Sequence, residues 1–82
     1  MSLEPIKRAA KEHADLDRVT FPMKRDDGTI VGVHVMTVVL DKLGGTGDYV
    51  AQCDENRGDL EAVAVSKDDG MSEIIIIEED DV

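Results

Sequence analysis

Residues 29–40, TIVGVHVMTVVL, form the stretch that decides the fold of this chain. Side chains two residues apart on a strand point to the same face, so the valines at odd positions share one face while Ile30, His34 and Met36 lie on the other. Neither face is polar, and the pattern therefore predicts a central strand that is covered on both sides. Fully extended, the stretch would span roughly 40 Å, which exceeds the width of so small a domain. We therefore expect a bulge at Gly32, or a helical turn over residues 37–43 that ends in the following glycine.

A hairpin is expected to join this stretch to the segment before it. Residues 18–24 alternate apolar with polar side chains, as in a half-buried strand, and Pro22 fits only an edge strand or a position that faces outward. The dipeptide Asp27-Gly28 favours a tight turn, which would pair the two strands antiparallel.

The rest of the chain predicts one short helix and three more strands. Residues 4–15 contain alanines and apolar side chains at the spacing of a helix. After a flexible glycine loop at 44–47, strands are predicted at 48–54, 60–66 and 72–78, with turn residues between them. The predicted fold class is α+β: a short N-terminal helix followed by a five-stranded antiparallel β-meander, strongly twisted or curled into a small SH3-like open barrel.

The length of 82 residues allows one domain with a thin core. We divide residues 1–82 into a helical arm (1–17), an antiparallel sheet (18–78) and an acidic tail (79–82). The single cysteine excludes an intramolecular disulfide, no run of 18 apolar residues could span a membrane, and the N-terminus lacks the apolar centre of a signal peptide. These features indicate a cytoplasmic location.

Charge is the most unusual feature of the composition. The chain has 19 acidic and 9 basic residues, a formal charge of −10 and an isoelectric point near 4.3. Such a field repels nucleic acid and anionic membranes and attracts basic proteins, so neither nucleic acid nor a membrane is expected as a partner. Twelve aspartates against seven glutamates, with only five lysines, are also compatible with a halophilic source.

Cys53 and His34 are the candidates for chemistry, because a thiol nucleophile needs a nearby base to form its thiolate. The strands predicted to carry them are neighbours, but Cys53 also fits a small buried hydrophobe and His34 a core or interface histidine. The acidic residues 54–61 have the composition of a calcium loop but lack the glycine and glutamate positions of an EF-hand. We predict no catalytic residues, no metal and no cofactor.

The last predicted strand carries four consecutive isoleucines, which make both of its faces apolar. An edge strand of this kind aggregates unless it is covered, so it lies in the middle of the sheet or pairs with another chain. We predict self-association through Ile74, Ile75, Ile76 and Ile77. The acidic residues that follow are expected to be a solvated guard against further strand addition, or alternatively a tail that binds a basic partner; they are Glu78, Glu79, Asp80 and Asp81.

The first functional hypothesis is a small, acidic, non-enzymatic protein-interaction module that forms a homodimer through its C-terminal strand. It predicts that Ile75→Lys or Ile76→Lys yields a monomer or an insoluble chain. One alternative is an acidic decoy that imitates nucleic acid and occupies the binding site of a basic protein. The other is a small thiol enzyme that uses Cys53 and His34.

Overall fold

The computed structural model describes residues 3–44 and 47–82, which form a five-stranded mixed sheet with three helices. The strands are β1 (Leu3–Pro5), β2 (Lys11–His13), β3 (Arg18–Arg25), β4 (Ile30–Met36) and β5 (Ile74–Ile77). The helices are α1 (Thr37–Leu43), α2 (Tyr49–Glu55) and α3 (Arg57–Lys67), and short 3-10 turns cover Ala14–Leu16 and Glu79–Asp81.

The hairpin of β3 and β4 confirms the local prediction. The Arg25 N–H donates to the Thr29 carbonyl at 2.8 Å, and Gly28 in the turn has a φ of 95°, a conformation that favours glycine. β4 is central, as expected, between β3 and β5. β4 ends at Met36, where α1 begins, and Gly44 caps the C-terminus of α1. The helical turn over residues 37–43, one of the two predicted ways to shorten the central stretch, is therefore confirmed. The predicted glycine loop lies partly outside the described residues.

The prediction of an antiparallel meander curled into a barrel is wrong. β5 pairs with β4 in parallel, and the sheet stays open in the order β1, β3, β4, β5, with β2 also on β3. Two parallel neighbours need a long crossover connection, usually helical, and α1, α2 and α3 supply it. Residues 49–54 and 60–66, which lie in segments predicted as strands, therefore belong to α2 and α3. Their helical signals are Asp48, whose side chain caps α2 by accepting the Ala51 N–H at 2.9 Å, and the spacing of Leu60 with Ala64.

The predicted N-terminal helix over residues 4–15 is also wrong. β1 pairs antiparallel with one end of β3 and β2 with the other, and residues 6–10 loop out between them. Pairing with β3 thus overrides the helix propensity of the alanines. Pro22 lies on β3 opposite this gap, where the register of β1 has ended at Met23 and that of β2 has not yet begun. β3 is therefore not an edge strand, and its proline stands where no N–H is needed.

The central strand is covered on one face only, so the prediction of a strand buried on both faces is wrong. The odd-numbered residues of β3, β4 and β5 point into the core. There they meet the three helices and residues 3–13, which we call the N-terminal arm. The core consists of Leu3, Ala10, Val19, Phe21, Met23, Val31, Val33, Val35, Val39, Leu40, Cys53, Leu60, Ala64, Ile75 and Ile77. The even-numbered residues form the other face, which no helix among the described residues covers; we call it the open face.

A buried ion pair ties β3 to the segment between α3 and β5. The Arg25 Nη2 donates to Asp68 Oδ1 at 2.7 Å and to the Ser72 carbonyl at 2.5 Å. The two charged side chains are only 3% and 5% exposed. The hydrogen bond from Arg25 lowers the pKa of Asp68, and the same bond raises the pKa of Arg25. The pair therefore fixes the end of the crossover onto the sheet.

We expect Asp68→Asn to lower the melting temperature at pH 7 by roughly 5 °C or more, because it leaves a buried guanidinium without its counter-charge. Since the folded-state pKa of Asp68 is lowered, its stabilising effect is complete above the pKa of a free aspartate, about 3.9, and is lost as the pH falls through the folded value. The difference between wild type and variant should therefore shrink in acid. Thermal unfolding between pH 7 and pH 2 measures it.

Asp26→Asn is the matched control, since it removes the same charge from an exposed residue next to Arg25. It should change the melting temperature by no more than about 2 °C. Equal losses in the two variants would contradict a specific role for the buried pair.

Candidate functional site

Cys53 and His34 lie on opposite faces of the sheet. Cys53 is on α2 and fully buried in the core, where burial raises the pKa of its thiol to about 11. His34 is on β4 between Val33 and Val35, whose side chains fill the core, so its own side chain lies on the open face. The structure therefore does not bring the proposed thiol and base together.

The four isoleucines of β5 divide between the two faces. Ile75 and Ile77 are buried in the core, whereas Ile74 and Ile76 lie on the open face and are 53% and 36% exposed. Ile30 of the neighbouring β4 is also 53% exposed. These three side chains, Ile30, Ile74 and Ile76, are called the apolar half of the open face.

The outer edge of β5 is partly occupied by the chain itself. The Gly32 N–H donates to the Glu73 carbonyl at 2.8 Å, so odd-numbered residues of this segment turn their backbone groups towards β4 and even-numbered ones turn them outward. The Lys67 Nζ donates to the outward carbonyl of Ile76 at 2.7 Å and to Asp81 Oδ2 at 2.5 Å. This lysine removes one acceptor that an added strand would use.

The acidic residues after β5 fold back onto the helices. Asp81 accepts hydrogen bonds from Lys67 and from the Glu78 N–H, and these lower its pKa. The Lys42 Nζ donates to the carbonyls of Glu79 and Val82 at 3.2 and 3.0 Å. Lys42 thus holds the backbone of residues 78–82 and Lys67 holds the Asp81 side chain, while the other acidic side chains add negative charge beside the edge of the sheet. Their role as a guard against strand addition stays a prediction.

The other half of the open face is basic. The register places Lys11 beside Thr20 and His13 beside Arg18, and the His13 Nε2 and Thr20 Oγ1 are 3.1 Å apart. The polar face of β3 was expected from its alternation. Lys11 and His13 had been assigned to a helix, and only the pairing of β2 with β3 brings them to this face.

A depression of about 360 Å³ lies in the open face where the N-terminal arm loops away from β3. Its floor is formed by Pro22 and by Gly32, which has no side chain. Its lining residues are Arg8, Ala9, Lys11, His13, Thr20, Phe21, Pro22, Gly32 and His34. Among these described residues there is no carboxylate, although acidic residues outnumber basic ones two to one in the chain. We call this site the basic depression.

His34 lies over the floor of the basic depression. A methyl group added at Gly32 would meet the His34 Nε2 at 3.7 Å, so this nitrogen stands above the glycine. The Arg18 Nη1 lies 3.4 Å from the His34 Nδ1. Because a guanidinium only donates, Nδ1 is the acceptor and the proton of the neutral ring is on Nε2. Burial, then Arg18 and His13, lower the pKa of His34 and so favour this neutral form.

Arg57 of α3 fixes the loop that walls the depression. Its Nη2 donates to the carbonyls of Ile6 and Arg8 at 3.2 and 3.1 Å, while its guanidinium carbon lies 4.1 Å from the centre of the Phe21 ring. Glu61 accepts from its Nε at 3.3 Å. Arg57 and Glu61 belong to the segment 54–61, whose acidic residues resembled a calcium loop in the sequence. The structure therefore places an arginine among those carboxylates.

We expect the thiol of Cys53 to be unreactive in the folded protein, because it is buried and its pKa is raised to about 11. At pH 7.5 it should react with a disulfide reagent at least about 100-fold more slowly than the same chain unfolded in guanidinium. Absorbance of the released thiolate measures the rate, with Cys53→Ser as the blank. Reaction of the native protein at the unfolded rate would restore the thiol-enzyme hypothesis.

Comparisons with known proteins add no relative to this description. No protein-family model, no curated protein and no solved structure matches the chain. No helix among residues 3–44 and 47–82 is long and apolar enough to cross a membrane. Function therefore has to be inferred from the open face itself.

Proposed function

We propose that this protein is a small, non-enzymatic protein-interaction module that forms a homodimer through the apolar half of its open face. The proposal rests on a group of three exposed isoleucines. Ile30 lies on the central strand β4, and Ile74 and Ile76 lie on the neighbouring edge strand β5. Large apolar side chains grouped on the surface of a highly charged protein are typical of an interaction site.

The face of β5 supports self-association better than its edge. Lys67 already binds one outward carbonyl of β5, and the carboxylate of Asp81 lies beside it. Charges at an edge disfavour the addition of another strand. Packing face to face needs no backbone hydrogen bonds and covers Ile74 and Ile76 directly. The sequence-based prediction is thus retained for these two isoleucines, while the buried Ile75 and Ile77 are assigned to the core.

A second copy is the occupant that fits the apolar half best. A two-fold contact brings the same patch from each subunit together, so each apolar half covers the other. A standard interface buries about 800 Å² per partner, which is about a sixth of the 4817 Å² surface of this chain. One face of a small sheet can supply an area of this order. We further propose a cytoplasmic location, and neither nucleic acid nor membrane as partner, on the basis of composition and charge.

We expect Ile74→Lys and Ile76→Lys each to convert the dimer to a folded monomer, because a charge in the centre of the apolar half would have to be desolvated on association. Light scattering on a sizing column gives the mass, and circular dichroism checks the fold. Ile75→Lys should instead unfold the chain, since that side chain lies in the core. A folded dimer in both surface variants would overturn the proposal.

Val38→Lys is the matched control for these variants. Val38 is 45% exposed but lies on α1, away from the strands of the open face. The same substitution there should leave the dimer intact. Dissociation of this variant as well would show that any added lysine disturbs the assembly.

The dimer should become tighter as salt is raised, because two copies of formal charge −10 repel each other in dilute buffer. Screening shortens the range of this repulsion from about 30 Å at 0.01 M salt to about 3 Å at 1 M. Sedimentation in 0.05 M and 1 M potassium chloride, at equal protein concentration, measures the dissociation constant. A dimer that dissociates with added salt would show that ion pairs, and not the isoleucines, hold it together.

A further inference from the structure

We propose that the basic depression of the open face binds the phosphoryl group of a small phosphorylated molecule. The site adjoins the apolar half, because Gly32 and His34 pair in register with Ile74 and Ile76, but it uses none of the isoleucines. It rests on the shape of the depression, on the charges of its wall and on the donors that point into it.

The depression exists because two features of the backbone coincide. The N-terminal arm loops out over residues 6–10, and Gly32 leaves the opposite strand without a side chain at the same level. A methyl group at Gly32 would make only ordinary contacts, the nearest at 3.7 Å, and its backbone is not in a conformation reserved for glycine. The glycine is therefore not required by the fold, and the space above it is available to a ligand.

The wall of the depression supplies positive charge. Arg8 and Lys11 come from the N-terminal arm, and both are exposed residues. Arg18 adds its guanidinium behind His34, and its Nε is buried without a hydrogen-bond partner among the described residues. A site with several cations and no lining carboxylate leaves like charges uncompensated, and an anion relieves their mutual repulsion.

Neutral donors complete a site for phosphoryl oxygens. The proton on the His34 Nε2 points over Gly32, because Nδ1 is turned towards Arg18. The Thr20 hydroxyl lies beside it and also contacts His13. Arginine, lysine, imidazole and hydroxyl groups are the side chains that donate to phosphate oxygens, and donors carrying a charge form the stronger bonds. The apolar floor at Pro22 favours a ligand whose phosphate is attached to an uncharged, flat body.

The test is a titration of the full chain, labelled with nitrogen-15, in a buffer without phosphate or sulfate. Inorganic phosphate and phenyl phosphate are added separately, and backbone amide shifts are followed by nuclear magnetic resonance. We expect saturable shifts at Thr20, Gly32 and His34, with phenyl phosphate binding more tightly than inorganic phosphate. For a dissociation constant of about 0.5 mM, a ligand concentration of about 50 mM is a hundredfold excess and should saturate the site. If neither compound saturates the shifts at this concentration, the proposal is overturned.

Paired variants distinguish binding of phosphate in the depression from a general attraction of anions to basic side chains on the surface. Lys11→Gln with Arg8→Gln should weaken binding at least about tenfold, since two charge-assisted contacts are lost. Lys24→Gln with Lys7→Gln removes the same two positive charges from exposed residues that do not line the depression, and should change the affinity less than twofold. Equal losses from the two sets would overturn the proposal.

Gly32→Ala tests the shape of the site without changing its charge. The added methyl group fits the fold but fills the floor, so binding of phenyl phosphate should fall at least about fivefold while the melting temperature is unchanged or raised. Unchanged affinity in this folded variant would contradict the proposed position of the ligand.

Vesicles distinguish a soluble phosphate ester from a lipid headgroup. Flotation with vesicles of phosphatidylcholine containing phosphatidic acid should recover no more protein than vesicles of phosphatidylcholine alone. Binding to the phosphatidic acid vesicles together with no response to either soluble phosphate would overturn the proposal. The oligomeric mass measured on the same samples reports separately on the dimer.

Discussion

The parallel pairing of β4 with β5 is the constraint on which the rest of this structure depends. β4 runs directly into α1, so the chain must return to the starting end of β4 before β5 can pair in the same direction. That return takes the three helices across one face of the sheet. Residues of α1, α2 and α3 accordingly join the odd-numbered side chains of β3, β4 and β5 in one core.

Among residues 3–44 and 47–82, no segment covers the second face of the sheet. The N-terminal arm extends the sheet at the side of β3 and does not form a second layer. The open face is therefore a consequence of the topology, which takes all three helices to the other side of the sheet. Small domains bury a modest fraction of their surface, and in this one the uncovered remainder includes three isoleucines.

Sequence patterns predict the elements whose structure is determined by neighbouring residues. They fail for elements whose structure is determined by strand pairing between distant residues. The hairpin at Asp27-Gly28 was predictable because its turn residues and its alternation are close in sequence. Residues 60–66 were misread because LEAVAVS alternates like a strand, while Leu60 and Ala64 also have helical spacing. The helical spacing of these two residues is a weak signal. The segment is helical because the parallel pairing of β4 with β5 needs a crossover, and no local sequence pattern shows that pairing.

The candidate site was harder to predict than the fold, because its residues come from segments that the sequence assigned to different structures. The sequence predicts a central strand for His34, but a helix for the segment 4–15 that contains Lys11 and His13. Their register with β3 brings them to the same face as His34. The split of the isoleucines between two faces follows from strand alternation, but which pair is exposed depends on the side that the helices cover.

The net charge of the chain and the local charge of its open face have opposite signs, and they act over different distances. The formal charge of −10 governs the approach of an ion from afar, whereas contact is governed by Arg8 and Lys11 in the wall of the basic depression and by Arg18 beside His34. Added salt weakens interactions beyond the screening length, about 10 Å at 0.1 M, more than interactions inside a partly buried site. Moderate salt therefore weakens the repulsion between an anion and the net charge of the chain more than it weakens the attraction between the anion and the basic side chains of the depression. Composition alone predicted a field that repels nucleic acid and anionic membranes, and it could not show that the arrangement of the strands collects basic side chains on one face.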